Sequence, residues 1–112
     1  MSSTPSIHAV DQVAAALSVA SLRNQVIASN IANRDVAGYQ RMAVAFGQAL
    51  DAAGGTPSGA RAVVVPEAGS AGASLEQDMV ALSGNALNYQ ALARTLSRYF
   101  SIAQTIANGG RS

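Results

Sequence analysis

Few residues in this chain have the types and spacing that chemistry needs. His8 is the single histidine, and there is no cysteine. No carboxylate stands at the spacing from His8 that a metal-ligand set requires. An isolated imidazole near a chain start reads as a surface group. Glu76 and Asp78 are close enough in sequence for a carboxylate pair. They stand where a helix would begin, however, and there the helix dipole favours negative charge without any acid–base role. Arg34 and Asp35 adjoin at a helix end and read as solvated charges. The run GGTPSG, residues 54–59, lacks the Gly-Lys-Ser/Thr ending that grips phosphate. Tyr89, Tyr99 and Phe100 fall at helical spacing and read as packing residues. These residues point to no enzyme, no metal site, no cofactor and no small-molecule substrate.

Composition narrows the remaining classes. The 112 residues suit one small domain or one element of a larger assembly. Apolar residues make up 49% of the chain, but much of that is alanine, which buries little area per residue. The aromatics are Tyr39, Phe46, Tyr89, Tyr99 and Phe100. Such a chain has a thin core, and small chains are already marginal, so oligomerisation is the expected source of stability. The seven basic residues are all Arg: Arg23, Arg34, Arg41, Arg61, Arg94, Arg98 and Arg111. They are scattered and the net charge is +1, so there is no electrostatic footprint for nucleic acid. The N-terminus lacks the charged start and continuous apolar run of a signal peptide. No segment is long and apolar enough to insert in a bilayer. The chain therefore reads as cytosolic, or as exported by a route that uses no cleaved signal.

The elements that would position any functional residue are two long helices. The first spans about Ile7 to Asn33, with Ser6 as a cap after Pro5. Its three-and-four series runs Ile7, Val10, Ala14, Leu17, Ser21, Asn24, Ala28, Ile31, while Val13, Val19, Leu22, Val26 and Ile27 lie off that seam. A helix apolar on several sides needs neighbours on several sides. The second helix carries a stricter heptad series: Leu75, Met79, Leu82, Ala86, Tyr89, Ala93, Leu96, Phe100, Ala103, Ala107. Ser74 is the expected N-cap, and Gly109 and Gly110 end the helix. Leu75 to Asn108 would span roughly 50 Å. A further apolar stripe, Leu92, Tyr99, Ile102 and Ile106, lies off its seam.

Residues 41–74 read differently. Met42, Val44 and Phe46 alternate as a strand would, although FGQALDAA suits a helical turn equally well. Val63 to Val65 is a β-branched run stopped by Pro66, and GSAGAS, residues 69–74, reads as a linker. The expected fold is mainly α: long N- and C-terminal helices in an antiparallel coiled-coil hairpin, with a short irregular middle that has room for a small β-hairpin. The segments are 1–40, 41–74 and 75–112, forming one structural unit.

Between the first helix and the middle lies ASNIANRDVAGYQR, residues 28–41. Asn30, Ile31, Ala32, Asn33, Gly38 and Tyr39 resemble the signature near the N-terminus of flagellar rod and hook proteins: Asn-Ile/Leu-Ala-Asn, a few variable residues ending in Thr-Pro, then Gly-Tyr/Phe. Val36 and Ala37 stand where Thr and Pro are usual, and Ser29 where a further Asn is common. Residues 75–108 resemble the C-terminal helix of the family's proximal-rod members, through Glu76, Asp78, Met79, Asn85, Leu87, Tyr89, Gln90, Phe100, Ser101 and Ile106. The resemblance covers residues 7–41 and 75–108. The resemblance does not extend to the middle, which is short for this family.

The resemblance implies a structural subunit of the flagellar basal body. It implies export by the flagellar type III apparatus without a cleaved signal, and periplasmic assembly with itself and other rod proteins. Interlocked terminal helices would transmit torque, with Leu75, Met79, Leu82, Tyr89, Leu96 and Phe100 as packing and assembly residues. The alternatives are another flagellar axial component, or a freestanding coiled-coil adaptor or secreted helical hairpin. In the motif itself, Asn tolerates a helix end and can bond freed carbonyls. Gly38 permits a positive φ, and Tyr39 can anchor the departing chain with an apolar ring and a polar tip.

Overall fold

The computed structural model of the chain describes residues 7–46, 62–69 and 73–109. Helix α1 spans Ile7–Ala32, strand β1 Met42–Ala45, strand β2 Val63–Pro66 and helix α2 Leu75–Gly109. This is the expected helical hairpin, with the small β-hairpin formed from the two strand-like pieces. The expectations for Ser6, for residues 47–61 (GGTPSG among them), for Ser70 to Gly72 within GSAGAS, and for Gly110 lie outside the described residues.

Ser74 caps α2 as expected. Its Oγ accepts from the Gln77 N–H at 3.1 Å, and the Gln77 side-chain oxygen accepts from the Ser74 N–H at 2.9 Å. This reciprocal capping box satisfies two donors that a helix start leaves unpaired.

The two strands are antiparallel, in the register Met42↔Pro66, Ala43↔Val65, Val44↔Val64, Ala45↔Val63. The Glu67 N–H donates to the Arg41 carbonyl at 2.9 Å. Met42 and Pro66 therefore face each other without bonding mutually, and their backbone polar groups point to the outer edges of the hairpin. Pro66 is tolerated there because its missing N–H would have faced away from the partner strand.

The helices run antiparallel. Asn85 Nδ2 on α2 donates to the Ala20 carbonyl on α1 at 2.6 Å, tying the first third of α2 to the middle of α1. Among the described residues the buried apolar side chains are Val19, Ala20 and Val26. This thin core does not follow the expected seams. On α1, Asn24 and Ala28 are exposed, while Val13 and Ile27 are half-buried beside buried Val19 and Val26. On α2, Leu75, Leu82 and Leu96 turn inward as expected. The positions alternating with them are Asp78, Asn85, Leu92 and Tyr99, whereas Met79, Ala86 and Phe100 are exposed and Ala93 is half-buried. Met79 is 55% exposed and Phe100 59%, so neither is buried within the chain. Both series keep three-and-four spacing and share Leu75, Leu82, Tyr89 and Leu96. Hydrophobicity alone selects the series whose Met79, Ala86 and Phe100 face outward in the single chain, because two inward positions are polar.

Candidate functional site: the junction after the first helix

The last turn of α1 is closed by side chains. The Asn33 N–H and Nδ2 both donate to the Ser29 carbonyl, at 3.0 and 2.9 Å. The chain then descends through two further turns, with the Val36 N–H on the Asn33 carbonyl at 3.0 Å and the Tyr39 N–H on the Val36 carbonyl at 3.1 Å. Gly38 has φ +79°, the expected left-handed conformation. The Val36 to Tyr39 turn thus has the positive φ at its third residue that marks type II geometry, and Ala37 holds the second position, which favours proline.

Asn30 is 3% exposed, on the face of α1 turned toward β1. Its Nδ2 donates to the Met42 carbonyl at 2.9 Å, and its Oδ1 accepts from the Met42 N–H at 3.0 Å. The carboxamide thereby acts as a neighbouring strand's peptide would, pairing both edge groups of Met42. Tyr39 Oη donates to the same Oδ1 at 3.0 Å and lies 3.2 Å from Ser29 Oγ. Tyr39 anchors the departing chain as the sequence predicts. Of the other motif residues, Ile31 and Asn33 are half-buried and Ala32 is exposed.

One residue from Met42, Arg41 forms a second tie that the sequence reading missed. Its Nη1 and Nη2 bond Asp78 Oδ2 and Oδ1 at 2.9 and 2.7 Å, and its Nε bonds Glu67 Oε2 at 2.8 Å. The Asp78 side chain is 7% exposed and that of Arg41 18%. Hydrogen bonds from Arg41 hold the Asp78 carboxyl below the ordinary carboxylate range; burial opposes this, and the nearby charges of Arg41 and Arg34 add to it. The hydrogen bonds it donates to Asp78 above all, resisted by burial, raise the Arg41 guanidinium further above its already high value. Asp78 is therefore a buried ion-pair partner and not simply a dipole-facing charge at a helix start. Arg34 is a half-exposed cation that acts on Asp78 and lies 4.0 Å from Asp35, whose side chain is almost fully exposed. The available sequence signal for Asp78 was its spacing, three residues after Leu75 and four before Leu82.

An open trough of about 810 Å³ runs along α1, lined by Leu17, Ser21, Leu22, Phe46 and Tyr89 among others. Its described lining carries no carboxylate, imidazole or amine. Among the described residues no three histidine or acidic side chains gather as a metal would require, and no described helix is long and apolar enough to cross a membrane.

Residues 13–40, which end within this junction, match the model of a family described as flagella basal body rod protein. The match covers 28 of the 112 residues and supports a flagellar rod relationship. No curated protein and no solved structure matches the chain.

Proposed function

We propose that this chain is a structural subunit of the bacterial flagellar basal-body rod, polymerising through its terminal helices and transmitting torque for motility. The observation that carries the reading is the coincidence of the family match over residues 13–40 with a junction whose motif residues have specific mechanical work. Asn30 and Tyr39 fasten the turn after α1 to the strand that follows it. A subunit of a tube must let its chain leave an inner helix at a fixed angle, and this junction sets such an angle. Exposed apolar side chains along α2 support polymerisation.

Within the rod, the pattern of residues 75–108 favours the proximal rod protein FlgB. A different axial component is the second reading, favoured by Val36 and Ala37 in place of Thr-Pro and by the short middle. The partners are further copies of the chain, other rod proteins and the flagellar export apparatus. The site of assembly is the periplasm, reached through that export apparatus. Purified basal bodies test the proposal. The chain is expected in the rod fraction, and its deletion is expected to remove the rod and swimming. A normal rod and normal swimming in the deletion strain would overturn it.

A further inference from the structure

We propose that Arg41 is a latch making the turn after α1, the base of the β-hairpin and the first turn of α2 order as one unit. The two faces of the dipeptide Arg41-Met42 are held by different partners. The backbone of Met42 is gripped by Asn30 on α1. The side chain of Arg41 is gripped by Asp78 on α2 and by Glu67 just beyond β2, and its carbonyl accepts from the Glu67 N–H. Residues 30, 42, 67 and 78 are remote in sequence, so one point closes several chain loops together, and closing each alone would cost entropy without the others' bonds.

The latch is all-or-none because of where it sits. Arg41 and Asp78 are both largely withdrawn from water, and a buried polar network that is half satisfied is worse than none. If α2 leaves, Arg41 keeps Glu67 alone. If β1 leaves, the Asp78 carboxylate loses both guanidinium bonds of Arg41. Docking of α2 therefore reaches back through Arg41 to the turn at Gly38 and Tyr39. The inference does not depend on what the chain assembles with.

Hydrogen exchange on the full chain tests it. The Tyr39, Met42 and Glu67 amides should be protected in the native sequence. Asp78→Asn should speed their exchange about tenfold or more, although none of them bonds Asp78, while amides of α1 and α2 near Ala20 and Asn85 change far less. Arg41→Met should accelerate the same three amides, and the double variant should show strong non-additivity at Met42. Should Asp78→Asn unfold the chain, Asp78→Glu, which keeps the charge but lengthens the arm, is read by the same amides. Unprotected Tyr39, Met42 and Glu67 amides in the native sequence would overturn the latch. So would unchanged exchange at these amides in the variants, additive effects, or a uniform rise along the whole chain.

Discussion

At the scale of single residues, the motif divides into members that carry the turn and members that fill it. Asn30 serves two backbone groups of Met42 and the Tyr39 hydroxyl, whereas Asn33 duplicates a bond its own backbone already makes. Asn30→Ala should cost about 2 kcal/mol, and Asn33→Ala less than about 1 kcal/mol, as read by thermal unfolding. Gly38 has open space where a Cβ would stand, so its substitution is limited by φ alone. Gly38→Val should be harmful because a β-branched residue resists φ +79°. Ala37→Pro should add about 0.4–1 kcal/mol, since it suits the second position of the turn. Equal melting temperatures for Gly38→Val and the native chain would contradict this. Asp78 gives the acid response. Its carboxyl is more acidic folded than unfolded, so its contribution is complete above the ordinary carboxylate range. It is lost as pH falls from about 4 through the lowered folded value. Melting temperature should drop across that window, and Asp78→Asn should flatten the drop. The Gly38 conformation and the Tyr39 anchor were legible because both follow from residue type at a helix end. The Arg41–Asp78 pair was not, because no local pattern joins residues so far apart in the chain.

At the scale of elements, both helices and both strands could be read from periodicity and turn residues, but the face each helix turns inward could not. Leu75, Leu82 and Leu96 fit two adjacent heptad series, and the apolar count favours the one containing Met79 and Phe100. The structure uses the other, because Asp78 has Arg41 and Asn85 has the Ala20 carbonyl to satisfy them when buried. Polar residues with partners can hold interior positions that a hydrophobicity count assigns to solvent. α2 also contains Gly84 in mid-helix, with nothing near the place of its missing Cβ. Glycine there costs about 1 kcal/mol relative to alanine. Gly84→Ala should therefore raise the melting temperature of the isolated chain, and a fall would show that a contact within the chain needs that space.

At the scale of the whole molecule, the chain is extended and under-buried. A compact protein of 11.3 kDa exposes roughly 5,700 Å², whereas this one exposes 7558 Å². Its radius of gyration is 17.9 Å, against roughly 13 Å for a compact domain of this length. The surplus includes Met79, Val80, Leu87, Phe100 and Ile106 on α2, all at least half exposed. The two series on α2 predict separable phenotypes. Leu96 is inward-facing, and a charge there would be desolvated without a partner, at a cost of several kcal/mol. Leu96→Asp should lower the melting temperature and abolish swimming together. Phe100 already faces water in the single chain, so Phe100→Ser should leave the melt nearly unchanged, within about 0.5 kcal/mol as expected for an exposed side chain. If the outer series is where neighbouring subunits pack, Phe100→Ser should nevertheless reduce rod recovery and swimming at equal protein level. Normal swimming by Phe100→Ser would remove the outer series from the assembly, leaving the exposed apolar surface of α2 without a role in the rod.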